Sequence, residues 1–185
     1  MLHSQSPWDL SIYDKATPRK FANTSTQARA SAVQFENQIR CEAIEHGAFY
    51  AADGSEILAR VGLQGNIGFS TAELQLVKSS LFTHNHPGGF SFSIADILNA
   101  CEWQLIELRV VCEEWRHIMN FRHGWPSRPA VQSEYARIEP LVLAEVVSDV
   151  RSGHLDPRYA YWEIQHRRIY QLASHFHMPY ERERS

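Results

Sequence analysis

The spacing of apolar positions changes several times along the chain, and each change predicts an element. From residue 44, "IEHGAFYAADGSEILARVG" reads as two extended runs around "ADGS", where Asp53-Gly54 is a strong short-range hairpin signal. "FSTAELQLVKSS" then takes helical spacing through Leu74 and Val77, with Ser70 and Glu73 in the capping-box relation. "SSLFTHNH" is a strand that stops at Pro87 and Gly88-Gly89. In "SIADILNACEWQL", Ile94, Ile97, Leu98, Cys101 and Leu105 recur at helical intervals. "IELRVVC" and "WRHIMNFR" predict two further strands joined through Glu113-Glu114. After "HGWPSRP" the pattern is helical again, in "VQSEYARIEPLVLAEVVSDVRSG" and "DPRYAYWEIQHRRIYQLASHF". Gly153 reads as the C-cap of the first of these, and Asp156-Pro157 as the N-cap and first turn of the second.

The order (two strands, helix, strand, helix, two strands) is that of one mixed α/β layer structure over residues 39–126. Residues 1–38 are polar and read as an irregular arm, with the "TPRK" turn and a short helix near 27–38. Residues 127–185 form a helical pair. Its apolar stripes, Ile138, Leu141 and Val142 on one helix and Ile164, Ile169 and Leu172 on the other, need a partner surface. A domain of about 85 residues also buries a small core by itself. The tail is therefore expected to pack on the core through Trp162 and its aromatic neighbours, to leave the groove between Glu45 and His84 open, and to carry no catalytic residue. Trp103, Trp115, Trp125, Tyr159, Tyr161 and Tyr170 are assigned to the same packing.

Composition narrows the function classes. The apolar fraction of 44% and charged fraction of 21% in 185 residues are those of a folded globular chain. A net charge of −3 without a long basic run disfavours a reader of nucleic-acid phosphates. No apolar stretch approaches the roughly 20 residues that span a bilayer, so no membrane partner is expected. The N-terminal "MLHSQSPWDL" lacks the basic and apolar regions of a secretory signal. The three cysteines, Cys41, Cys101 and Cys112, are odd in number and have no Cys-x-x-Cys spacing, which points to reduced thiols in a cytoplasm.

Ten histidines are the unusual entry in the composition. A His-x-His pair is a common coincidence at that frequency, and His175-Phe176-His177 at a helix end is read as one, because rings two apart on a helix diverge. His117, His123, His154 and His166 are read as solvated or core histidines. His84 and His86 differ because they lie on a strand, where alternate residues share a face and Asn85 points away. The glycine turn after Pro87 lets the chain fold back and brings Asp96, on the first turn of the next helix, within reach of both rings. Two His and one carboxylate leave a fourth tetrahedral position for water, the pattern of a catalytic zinc site. Ser93 would be an N-cap in any protein with Ser-x-x-Asp before an apolar run; it would also place a hydroxyl near an oxyanion. A hydrolytic site needs a base that is not a ligand. Among Glu42, Glu45 and Glu56, Glu45 is preferred, because it opens the first strand just before the apolar "GAFYA".

"HNHPGGFSFSIAD" resembles the motif of the JAMM (MPN-plus) zinc metalloproteases: His-x-His-Pro, a Gly/Ser-rich turn, Ser-x-x-Asp, and a Glu on an earlier strand. "EHGAFYAADGSEIL" is similar to the first hairpin of the bacterial and phage RadC-like branch, with Asp53 following Glu45. The resemblance covers residues 42 to 122, and Pro87–Phe92 is one residue shorter than the family's usual turn. It implies a curved mixed β-sheet flanked by helices, of the JAMM and cytidine-deaminase-like kind, with the helical pair appended. It also implies zinc held by His84, His86 and Asp96, with Glu45 carrying the proton and Ser93 sharing the oxyanion. The reaction would be hydrolysis of an amide or isopeptide bond in a protein or peptide substrate, ubiquitin-like conjugates being a common class. The rival expectations are a non-catalytic interaction module of the same fold, a DNA-associated role as in the RadC branch, and a phage- or toxin-linked protein that processes a partner.

Overall fold

The computed structural model describes residues 21–63 and 66–185. It is an α/β structure built on one open six-stranded mixed sheet flanked by helices. In chain order the elements are α1 (Gln27–Ile39), β1 (His46–Tyr50), β2 (Glu56–Val61), α2 (Thr71–Leu74), β3 (Leu81–Asn85), α3 (Ile94–Glu102), β4 (Glu107–Val111), β5 (Trp115–Asn120), α4 (Arg128–Arg151), α5 (Ala160–His175) and β6 (Tyr180–Arg184). The strand order is β2-β1-β3-β4-β5-β6. Only β3 and β4 run parallel, joined by the crossover through α3. That crossover sets the N-terminus of α3 beside the carboxyl end of β3, the place where open α/β sheets carry their ligands.

The hairpin between β1 and β2 closes where Asp53-Gly54 predicts it. Gly54 takes a φ of +85°, and Asp53 Oδ1 accepts from the Ser55 amide at 2.9 Å. Helix α2 begins with the Ser70–Glu73 capping box. Gly153 (φ +77°) follows the end of α4, and Asp156 caps the 3-10 turn Pro157–Tyr159 that leads into α5.

Strands β1, β3 and β4 are buried on both faces. One face, with Phe49, Phe82, Leu108, Val110 and Met119, meets α3, α4 and α5 in the main apolar core. The opposite face meets α1. Glu36 of α1 is fully buried there. Its carboxylate accepts from Arg109 Nε at 2.6 Å, Arg116 Nε at 2.8 Å and Thr83 Oγ1 at 2.8 Å. Burial works against the charge of Arg109, but the combined pull of Glu36 and Glu107 outweighs it and holds the guanidinium charged. The short helix expected near 27–38 is therefore present as α1, and it packs on the sheet as a layer of the fold rather than lying in an irregular arm. Their polar sequence reads as solvent-facing only until the buried ion network is seen. The rest of the arm up to residue 20, with its "TPRK" turn, lies outside the described residues.

The tail also differs from a simple helical pair. After α5 the chain adds β6, antiparallel to β5 at the sheet edge. "YERER" has no apolar alternation to announce a strand, and its stabilisation comes from elsewhere. Arg182 and Arg184 lie over the Trp115 ring at 4.1 and 3.8 Å, and the charged residues suit an edge strand. The seam between tail and core is aliphatic, through the buried Val131, Ile138, Val142, Ile169 and Leu172. Trp162 is 40% exposed and packs on the turn after β3, with Nε1 donating to Gly88 O at 3.1 Å. Among the described residues no helix is long and apolar enough to cross a membrane.

Candidate metal centre

The register of the sheet sets His84 opposite Gly47 on one side and Val110 on the other. A side chain at Gly47 would meet Ile67 Cδ1 at 2.8 Å and Phe82 Cε2 at 2.9 Å, so any larger residue here would have to displace these side chains beside His84. His84 is buried, and its ring stacks on Phe82 at 5.1 Å between centroids. His86 lies one residue past the end of β3, tied to the sheet by its amide donating to Val111 O at 2.9 Å. The chain then reverses through Pro87 and Gly88-Gly89. Gly89 takes a φ of +77°, which an L side chain would strain.

Asp96 sits on the first turn of α3 in the second capping box. Its Oδ2 accepts from the Ser93 amide at 2.7 Å and from Ser93 Oγ at 2.8 Å, and its own amide donates back to Ser93 Oγ at 3.2 Å. This arrangement fixes the carboxylate toward the histidines. Asp96 Oδ1 is 3.5 Å from His84 Nε2, Asp96 Oδ2 is 3.5 Å from His86 Nε2, and the two Nε2 atoms are 3.0 Å apart. Ligand atoms of a tetrahedral zinc with bonds near 2.0–2.1 Å lie about 3.3–3.4 Å apart. The three separations therefore bracket those of a shared metal, and this is the one such group among the described residues.

The electrostatics have the same sense. Burial alone would raise the Asp96 carboxyl, but His84, His86 and the Ser93 amide together hold it well below the usual carboxylate range. Burial, helped by His84, pulls His86 below its ordinary value and favours the neutral imidazole that ligates metal. His86 Nδ1 faces the carbonyls of Phe90 at 3.2 Å and Ser91 at 3.1 Å, so its proton belongs on Nδ1 and its Nε2 lone pair points to the cluster. His84 Nδ1, by contrast, is buried with no hydrogen-bond partner among the described residues, and that ring is held by stacking on Phe82 and by its Nε2 contacts in the cluster.

A cavity of about 460 Å³ opens on the cluster. Glu45 lines it together with His84, His86, Ser93 and Asp96, so the five residues singled out from the sequence share one space. Glu45 stands immediately ahead of β1 rather than on it, its carbonyl accepting from the Gly62 amide at 2.7 Å. Burial raises its carboxyl; His84 offsets part of the shift and Asp96 adds to it. Glu42 and Glu56 are not in this wall. Ser93 Oγ directs its proton to Asp96, so here it acts as the cap that aims the carboxylate. Tyr161 and Gln165 of α5 form part of the wall, and the tail therefore borders the groove.

Asn85 carries no expectation from sequence beyond pointing away, yet it ties this site together. Its Oδ1 accepts from the His46 amide at 2.7 Å, and its Nδ2 donates to Glu42 O at 3.2 Å and Ile44 O at 3.1 Å. It thereby braces the segment that carries Glu45. His123 and His154 are exposed, and His175 pairs with Glu134 at 3.2 Å instead of with His177. No family model, curated protein or solved structure matches the chain.

Proposed function

We propose that the protein is a zinc-dependent hydrolase that cleaves an amide or isopeptide bond in a protein or peptide substrate, with the metal held by His84, His86 and Asp96. The observation that supports this most is the convergence of His84 Nε2, His86 Nε2 and Asp96 at 3.0–3.5 Å in the wall of an open cavity. The sequence pattern that resembles the JAMM metalloproteases, and the mixed sheet with helices on its faces, agree with the same reading. A zinc ion at this place would supply a Lewis acid and bring the acidity of a water near pH 7.

The chain's own groups would do the rest. Glu45, raised by its burial, is suited to take a proton at its carboxylate and return it to the departing amine. Ser93 keeps Asp96 in place through the capping box, and turning its hydroxyl from Asp96 would offer a donor to the developing oxyanion. Phe69, Phe82 and Trp103 give the cavity an apolar wall beside these polar groups. A cytoplasmic location is proposed on the strength of three free thiols.

Elemental analysis tests the reading most directly. The purified wild type should carry one zinc per chain and His86→Ala little or none. Absence of metal from the wild type, or equal content in the variant, would remove the basis for it.

A further inference from the structure

The turn Pro87–Ser91, which carries the two carbonyls facing His86, is also a partition. A second cavity of about 500 Å³ lies on its other side, and Pro87, Gly88 and Ser91 line both. On that second side the turn is anchored to the tail. Ser91 is buried, and its Oγ lies 3.0 Å from the hydroxyl of Tyr180, the first residue of β6. The same hydroxyl lies 2.8 Å from His117 Nδ1 of β5 and 3.1 Å from His166 Nδ1 of α5, both of them buried. The His117 and Tyr180 rings stack with an interplanar angle of 8°.

We infer that Tyr180 is a positioning residue for the metal centre, holding Ser91 so that the Phe90 and Ser91 carbonyls fix the ring and tautomer of His86. The path is short: Tyr180 hydroxyl to Ser91 side chain, Ser91 backbone to His86 Nδ1, His86 Nε2 to the cluster. The partners of a ligating histidine's second nitrogen fix its orientation and basicity. The turn that supplies them is also held by Gly89 N donating to His86 O, by Trp162 Nε1 donating to Gly88 O and by Phe90 against Tyr161 and Trp162, but Tyr180 is the contact made directly to the Ser91 side chain. The C-terminal strand thus becomes part of the site's support, although it lies 89 residues from Ser91 in sequence. His117 and His166 hold the phenol in turn from β5 and α5.

This inference rests on the metal reading above, and the test separates the two. Zinc affinity is measured by competition with a chromophoric chelator for the wild type, Tyr180→Phe, Ser91→Ala and the double variant, each shown folded by near-ultraviolet circular dichroism. Each single variant should bind zinc about ten- to a hundred-fold more weakly. The double variant should be no weaker than the worse single one, because both cut the same link. Wild-type affinity in folded Tyr180→Phe would overturn the inference and leave the metal reading standing. If the wild type itself takes up no zinc, the metal reading fails. The inference is then decided by nitrogen-15 NMR of metal-free protein. A His86 proton fixed on Nδ1 in the wild type and lost or shared in Tyr180→Phe supports it, and identical His86 signals overturn it.

Discussion

Glu45 is half-buried and feels two opposing charges, and this gives it a measurable signature apart from turnover. Its folded pKa is raised, chiefly by desolvation, so between the unfolded and folded values the native chain holds a proton that the unfolded chain has lost. The resulting stability is complete below the unfolded value, near 4.5, and is lost as pH rises through the folded one. Glu45→Gln should accordingly stabilise the metal-free protein at neutral pH, with the advantage shrinking as pH falls through the acid range in urea titrations. Under the proposed zinc-hydrolase reading the same variant should keep zinc and lose hydrolysis, because there Glu45 would move a proton without ligating the metal. Loss of zinc would make Glu45 a ligand, and unchanged turnover would transfer the role to Glu42 or Glu56.

Two elements depend on buried polar groups, and each has its own expected weakness. Helix α1 is joined to the sheet through Glu36, whose removal leaves Arg109 and Arg116 without the carboxylate between them. Breaking a buried pair of this kind costs about 3–5 kcal/mol, so Glu36→Ala should shift the urea midpoint strongly, far more than a surface change on α1. Strand β5 contributes His117, which burial holds well below its ordinary value, with His166, Arg182 and His86 adding to the effect. As pH falls below about 6.5 the unfolded chain takes up a proton there that the folded chain refuses, so stability drops. His117→Asn should flatten this acid slope in urea midpoints measured from about pH 7 to 5, even if the variant starts out less stable. An unchanged slope would assign the acid sensitivity to other groups.

For the molecule as a whole, the tail is the question. Ending the chain at residue 126 would remove Val131, Ile138, Val142, Ile169 and Leu172 from the core and leave β5 as a bare sheet edge. The shortened protein should aggregate or melt far below the full chain in thermal scans, for lack of apolar burial and because its edge backbone is unpaired. Melting at the same temperature would instead make residues 127–185 a separate module.

What the sequence determined by itself is what short-range stereochemistry dictates. His84 and His86 share a side because strand residues alternate, Ser93 and Asp96 face each other because a capping box closes within one helical turn, and Asp53-Gly54 turns a hairpin because its backbone permits it. Each of these follows from a few neighbouring residues. Other features were decided by strand register and by packing between distant segments. The register aligns His84, Val110, His117 and Arg182 in one row across β3 to β6, and no spacing along the chain encodes that row. Asn85 bracing the segment of Glu45, Glu36 becoming a buried anion under a polar helix, and "YERER" becoming a strand beneath Trp115 are of the same kind. Polar residues such as these read as solvated in sequence because their partners lie about 40 to 90 residues away, and only the folded chain brings those partners close enough to replace water.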